Sequence, residues 1–377
     1  MQKNSATTVA NNANYIIFAQ SKTLKTMKTT LADIAEKTGY SIATISRVLN
    51  GKSDIYRISD EATAAIINEA KKSSYLNPSA AQRLCKNKTK TIGIILPAIT
   101  IPFFAEISDT IITEVKRRGY TAIITVTLEN YMEQESCLSA LMSRKVEGII
   151  AAPCGNDPRL FENINNDKVP VVLVDRFFMD SKISYITSNN YKGAVDATKM
   201  LINNGHKRIA CIQGDINSIP NRKRVEGYTY AMKSSNLEEY ILIVGDSFSV
   251  QSGYLETRLL LVNDDNRPTA IFALSYNIVL GVMKAIQESG LKIGTDISII
   301  SFDDNMSLDY IAPPITRIRQ PVEELGKLAT KVLFEHIDNP NAKTTKLELT
   351  TRIISGNSVK PINVPQHPNE PTETAEE

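Results

Sequence analysis

MKTTLADIAEKTGYSIATISRVLN, residues 27–50, reads as two short helices joined by a tight turn. Thr30 stands where its hydroxyl can cap a first helix whose apolar side carries Leu31, Ile34 and Ala35, and Gly39 stands where that helix must stop. Ser41 can cap a second helix with Ile42, Ile45, Val48 and Leu49 on its apolar side, and Asn50-Gly51 can end it. Hydroxyl side chains start helices because they accept from orphan backbone N–H groups, and glycine ends them because it adopts positive φ without strain. A third helix begins near Ser59, with Ile66, Ile67 and Ala70 at helical spacing. Pro78 fits the first turn of a short fourth helix over residues 79–84.

From Thr91 the period changes, and short apolar runs alternate with helical stretches. Residues 91–97 (TIGIILP) read as a buried strand and 103–118 as a helix closed by Gly119. Residues 122–127 form a strand, 134–143 a helix, and 146–153 and 170–175 further strands. After a break near 175–190 come a helix at 193–204, a strand at 208–214 and a helix at 222–234. Strands at 241–245 and 270–274, a helix at 277–289 and a strand at 297–302 close the series. Repeated β-α alternation predicts parallel sheets covered by helices. The number of units and the break predict two such sheets side by side, with ligands at the carboxyl ends of their strands.

Charge is unevenly spread. Residues 27–90 hold eleven Lys/Arg against six Asp/Glu, and residues 1–26 hold three Lys and no acid, while residues 91–377 hold an acidic excess. A basic leading segment on an acidic body is either a localised polyanion contact or a solvated charged face. The four cysteines lack a C-x-x-C pair, which fits reduced thiols better than a disulfide framework or a zinc site. The three histidines, His206, His336 and His367, show no metal-ligand spacing. No nucleophile-base pair, Walker loop or dinucleotide glycine turn is present, so no catalytic residue, metal or cofactor is expected and the chain reads as a non-enzyme. No apolar run is long enough to span a bilayer, and no membrane partner is expected. The apolar patch at residues 15–19 is too short for a signal-peptide core, and Met27 is an alternative initiator.

At this point the residues resemble a known family. Residues 27–50 closely resemble the headpiece of the lactose-repressor/galactose-repressor (LacI/GalR) family. The resemblance continues through YLNPSAAQRL, TIGIILP, PFFAEI, RRGY, VEGII, VPVVLVDR, NNGHKRIACIQG, IQESGLKIGTDISIISFDD and PPITRIRQP, and covers the chain from Met27 to about Ser355. It implies an all-α, lambda-repressor-like helix-turn-helix headpiece, then a two-lobed periplasmic-binding-protein-like α/β domain of parallel sheets. It implies a cytoplasmic transcription regulator that binds double-stranded operator DNA as a homodimer. Family habit favours a repressor of carbohydrate use under a small effector. A receptor for a transport system would instead carry a secretion signal and lack the headpiece.

The second helix would lie in the major groove, where base edges present distinct donor and acceptor patterns. By resemblance Ile42 and Ala43 face bases, and Arg47 can reach a guanine through two parallel hydrogen bonds. Thr30, Ser41, Thr44, Ser46 and Asn50 would meet phosphates, which set register. Ile42 is alternatively a core residue of the bundle, and Arg47 a solvated charge. The segment 75–84 resembles the family's hinge, in which a leucine wedges into the minor groove. Leu84 matches that leucine, and Ala81 permits close packing. Asn77-Pro78 inverts the common order, and the segment between Asn50 and Ser59 is longer than in many members.

Three pocket positions carry over well: Asp175, Arg224 and Asp303. Carboxylates accept from hydroxyls, and an arginine fork donates in fixed geometry. Phe103 and Phe104 form either an apolar wall or core, Arg176 can enter the pocket, and Asp303 alternatively makes an interlobe ion pair. Ser275-Tyr276 replaces the common Asn-Asp, so Tyr276 offers a stacking face and a hydroxyl. The effector class expected is a sugar, sugar acid or sugar phosphate, with Arg176 and Arg224 leaning toward an anion. The organisation expected is a disordered extension (1–26), the headpiece (27–76), a hinge helix and linker (77–90), the effector-binding and dimerisation domain (91–358) and a disordered tail (359–377).

Overall fold

The computed structural model describes residues 29–73, 75, 89–262 and 266–362. The extension, the Met27 initiator, the hinge with Ala81 and Leu84, and the tail from 363 lie outside the described residues. The chain divides into two compact units, Met1–Lys88 and Thr89–Glu377.

In the first unit three helices close a small core. α1 (Leu31–Thr38) opens with a reciprocal cap: Asp33 N–H donates to Thr30 Oγ1 at 3.4 Å, and Thr30 N–H donates to Asp33 Oδ2 at 2.7 Å. It stops at Gly39, whose φ of 74° no β-carbon opposes and whose N–H reaches the Ala35 carbonyl. α2 (Ile42–Leu49) starts at Ser41, whose Oγ accepts from Thr44 N–H at 3.1 Å. α3 (Asp60–Lys72) starts at Ser59, with acids in its first turn and lysines in its last. Ile34, Ile45, Val48, Ile66, Ile67 and Ala70 are buried together between them. Ile42 does not join them. It lies at 51% exposure, because α2 turns Ile45 and Val48 inward and leaves its first turn outside. The core reading of Ile42 is therefore excluded.

The second unit holds two six-stranded sheets. The first runs β11-β5-β4-β3-β1-β2 and is wholly parallel: Lys346–Leu349, Ser184–Ser188, Val171–Val174, Gly148–Ala151, Thr91–Leu96 and Thr121–Val126. Ile92, Ile94 and Leu96 of β1 face α4 (Pro102–Arg117) and α11 (Val322–Asp338), while Ile95 faces α5 (Tyr131–Ser143) and α6 (Arg159–Asn166). This two-sided burial explains why β1 is apolar without alternation. Gly93 lies on the α5 side, and an added β-carbon there would come within 2.7 Å of Leu141.

The second sheet runs β12-β10-β9-β8-β6-β7: Arg352–Ile354, Thr316–Arg319, Ser298–Phe302, Ala270–Ala273, Ile209–Ile212 and Leu242–Val244. α7 (Asn190–Asn203) and α8 (Ile219–Ser234) pack on one face; α10 (Tyr276–Glu288), flanked by α9 (Val250–Leu261), packs on the other. This sheet is mixed rather than purely parallel, because β12 pairs antiparallel with β10.

The expectation of one break between two sequential sheets needs correction. β5 lies inside the presumed break, and the series does not close at Phe302. The chain crosses between lobes three times: at Asn189, at Gln320-Pro321 and at residues 350–351. α11 and β11 thus return to the first lobe, and β12 completes the second. The second lobe is also fastened beyond residue 358. Lys360 N–H donates to Ser298 Oγ at 3.1 Å, and Ile362 N–H to the Asn204 carbonyl at 2.9 Å. Residues 359–362 therefore do not belong to a free tail. Among the described residues no helix is long and apolar enough to cross a membrane.

Candidate DNA-reading face and effector cleft

On α2 the residues that do not enter the core form one continuous face. Ser41, Ile42, Ala43, Arg47 and Asn50 are exposed, and Thr44 and Ser46 are half-buried beside them. Several hydroxyls are already engaged. Ser41 Oγ lies 2.8 Å from Thr44 Oγ1, and Asn50 Nδ2 donates to the Ser46 carbonyl at 2.7 Å and to Ser46 Oγ at 3.3 Å. These bonds fix the helix ends rather than exhaust the groups, since each hydroxyl oxygen keeps acceptor capacity. Exposed Thr30 stands at the α1 N-terminus, where backbone N–H groups favour an anion. Arg47 makes no hydrogen bond to another described residue through its guanidinium, which lies over the Tyr56 ring at 4.1 Å from the centroid.

In the second unit, strands of both sheets end on a shared cleft. Its lining includes all eight residues expected from sequence: Phe103, Phe104, Asp175, Arg176, Arg224, Ser275, Tyr276 and Asp303. Asp175 follows β4 and Asp303 follows β9, and both adopt left-handed backbone, with φ of 64° and 73°. That conformation is tolerated by aspartate and asparagine and uncommon for most other residues with a β-carbon. It turns each carboxylate off its strand line at the corresponding end of each sheet.

The two arginines are held differently. Arg176 forms a two-pronged pair with Glu129, both bonds at 2.6 Å, and lies 5.9 Å from the Phe104 centroid. Burial pulls its pKa down, but the Glu129 bonds and charge more than offset this and leave it raised. Arg224 is buried in α8, five residues into the helix rather than at its start. Its Nε donates to Asn190 Oδ1 at 2.8 Å, one Nη to the Leu274 carbonyl at 2.7 Å, and its face lies on Phe302 at 3.8 Å. Burial lowers its pKa, and Asp303 and Asp175 oppose that shift.

Asp303 accepts from Gln320 Nε2 at 2.6 Å and from Tyr276 N–H at 3.4 Å, and lies 3.7 Å from Arg224. Its arginine partner is in its own lobe, which removes the interlobe ion-pair alternative. Ser275 Oγ caps α10 by accepting from Ile278 N–H at 3.3 Å, and the Tyr276 hydroxyl lies 3.0 Å from Ser307 Oγ. Phe103 and Phe104 serve as both core and wall: they are buried, pack edge to face at 5.1 Å and still line the cleft.

Three polar groups point to what the cleft lacks. Among the described residues nothing donates to the Asp175 carboxylate, whose Oδ2 is 4.0 Å from Arg176 Nε. Burial pushes its pKa up to about 6 even though Arg176 and Arg224 pull it down. Ser218 Oγ and Gln320 Oε1 are buried on the same lining without a hydrogen-bond partner. Buried polar groups are normally satisfied, so these mark places for a missing partner. Glu129, Ser218, Gln320 and Asn190 were not singled out from sequence. Gln320 lay within the quoted PPITRIRQP segment, but nothing in its spacing marked its side chain.

These two sites define a class: a helix-turn-helix headpiece on the same chain as a two-lobed small-molecule-binding domain. Comparison with known proteins agrees. Residues 30–77 match the model described as "Bacterial regulatory proteins, lacI family", and residues 198–359 the "Periplasmic binding protein-like domain". The HTH-type transcriptional repressor PurR of Vibrio campbellii is 31% identical over 89% of this chain and 99% of its own. The ribose operon repressor of Haemophilus influenzae is 32% identical over 88% of this chain and 98% of its own. A solved LacI-family regulator from Enterococcus faecium with bound ribose is 26% identical, with a TM-score of 0.67 over 72% of this chain and 100% of that one. The chain belongs to the LacI family of bacterial regulatory proteins. It is a DNA-binding transcription regulator, not an enzyme.

Proposed function

We propose that this regulator represses transcription from a near-palindromic operator and that a neutral sugar in the interlobe cleft controls it. The observation that carries the effector reading is the charge balance of the cleft. Both guanidiniums are already paired, Arg176 with Glu129 and Arg224 near Asp303, while Asp175 and Gln320 Oε1 lack donors and Ser218 Oγ lacks any partner. A ligand rich in hydroxyls supplies donors to those acceptors. An anion would add charge to three carboxylates facing two guanidiniums. The lean toward a sugar acid or sugar phosphate is thereby reversed. The names of the relatives support the same class, one being a ribose operon repressor and one solved with ribose.

For the DNA side, Ile42, Ala43 and Arg47 read base edges, and Thr30, Ser41, Thr44, Ser46 and Asn50 set register on phosphates. Ala81 and Leu84 act in the minor groove. The working protein is a cytoplasmic homodimer, one headpiece per half-site. Effector binding changes the angle between lobes and so biases DNA binding, and each ligand alters the other's affinity by the same factor.

The test is a thermal-shift panel of neutral sugars, sugar acids, sugar phosphates and nucleobases. A neutral sugar is expected to raise the melting temperature in a concentration-dependent way and to change operator affinity. Hits confined to anions or nucleobases would overturn the effector reading.

A further inference from the structure

The loop after α2 does more than connect helices. Lys52 N–H donates to the Arg47 carbonyl at 2.9 Å, Tyr56 N–H to the Lys52 carbonyl at 3.2 Å and Ile58 N–H to the Ser53 carbonyl at 3.0 Å. Arg57 turns the chain with a φ of 50°. The backbone is thus laced to the end of the helix, and it carries Tyr56 back over Arg47. The ring and guanidinium meet at 4.1 Å on the surface, where Tyr56 is 47% exposed.

An exposed arginine samples many rotamers, whereas a two-pronged contact to guanine needs one planar orientation. Stacking restrains the plane through its face and leaves every N–H donor free along the edge. An ion pair would restrain it equally but would occupy the donors that must reach the base. We propose that Tyr56 is a positioning residue that presents Arg47 to its base pair and thereby sets sequence specificity. This rests on the reading of Arg47 as a base-contacting residue.

The experiment selects bound duplexes from a randomised library with full-length protein and compares base preferences among variants of matched thermal stability. In Arg47→Ala the preference at one base pair in each half-site is expected to disappear. Tyr56→Phe should keep the wild-type preference there. Tyr56→Ala and Tyr56→Leu, which lack a π face, should weaken it by about two- to fivefold. Preferences elsewhere and the salt dependence should stay unchanged, since no phosphate-binding cation is lost. Adding Tyr56→Ala to Arg47→Ala should change nothing further. Full preference in Tyr56→Ala or in Tyr56→Leu would overturn the stacking role. An even loss across all sequences, shared by Tyr56→Phe, would overturn it in favour of a phosphate contact through the hydroxyl. If Arg47→Ala leaves every preference intact, the base-reading role of Arg47 fails, and the role of Tyr56 fails with it.

Discussion

Replacing Asp175 with Asn is expected to make the protein more stable at neutral pH while weakening its response to effector. Asp175 is 6% exposed, and burial lifts its pKa from 3.8 to about 6. The folded state therefore binds this proton more tightly than the unfolded chain. Stability linked to the group is fully present below pH 4 and is lost as pH rises through about 6. A shift of about 2 units at about 1.36 kcal/mol each gives a penalty of about 3 kcal/mol for holding the ionised form. Asn cannot ionise, and it tolerates the left-handed backbone at this position. Asp175→Asn should gain about 3 kcal/mol at pH 7.5, with the gain shrinking below pH 6 and vanishing near pH 4. The chain has no Trp, so urea unfolding is best followed by circular dichroism across that range. Effector is expected to produce a smaller thermal shift in the variant, because the amide keeps one neutral oxygen acceptor where the carboxylate offers two charged ones. A loss of stability at pH 7.5 would show that attraction to Arg176 and Arg224 outweighs burial, and a gain independent of pH would show that it does not come from ionisation; either would refute the reasoning.

Other consequences are as direct. Arg224→Ala should destabilise the second unit by about 3 kcal/mol, because it removes the buried donor to Asn190 Oδ1 and the Leu274 carbonyl and the cation beside Asp303; denaturation measures this, and effector should no longer change operator affinity in a DNA-binding assay. Gly281→Ala should cost about 1–3 kcal/mol, since the added carbon would fall 2.1 Å from the Val250 carbonyl where α9 crosses α10; the denaturation midpoint checks it. Thr30→Ala removes one arm of the α1 cap and should lower headpiece stability by about 1 kcal/mol. That change is read as faster amide hydrogen exchange in residues 31–38.

The headpiece was legible almost to the residue, because its signals are local. Thr30, Gly39, Ser41 and Ser59 each stand at a cap, and the structure uses all four. The exception, Ile42, is an apolar residue at helical spacing that periodicity alone assigns to the core. The buried central strands were legible for the same reason: runs such as 91–97 are apolar on both faces. The edges were not. β11 reads Lys-Leu-Glu-Leu and is mostly exposed, and β5 reads Ser-Tyr-Ile-Thr-Ser, polar at both ends despite its burial. Neither carries a run of apolar residues. The cleft shows the same division. Residues in matched motifs converged, while Glu129 and Ser218 act through the partners they meet or lack, and pairing across about 47 residues leaves no trace in spacing.

The three crossings between lobes also impose an order on biosynthesis. The headpiece closes its core from residues 29–73 alone, so it can be complete soon after it leaves the ribosome. The first lobe cannot: its sheet waits for β11 at Lys346–Leu349 and its helical layer for α11. The second lobe, still later, waits for β12. Throughout translation the nascent chain therefore carries a finished DNA-reading module attached to an unfinished sensor. A premature stop anywhere between the headpiece and residue 346 would release a headpiece with its own closed core and neither lobe whole.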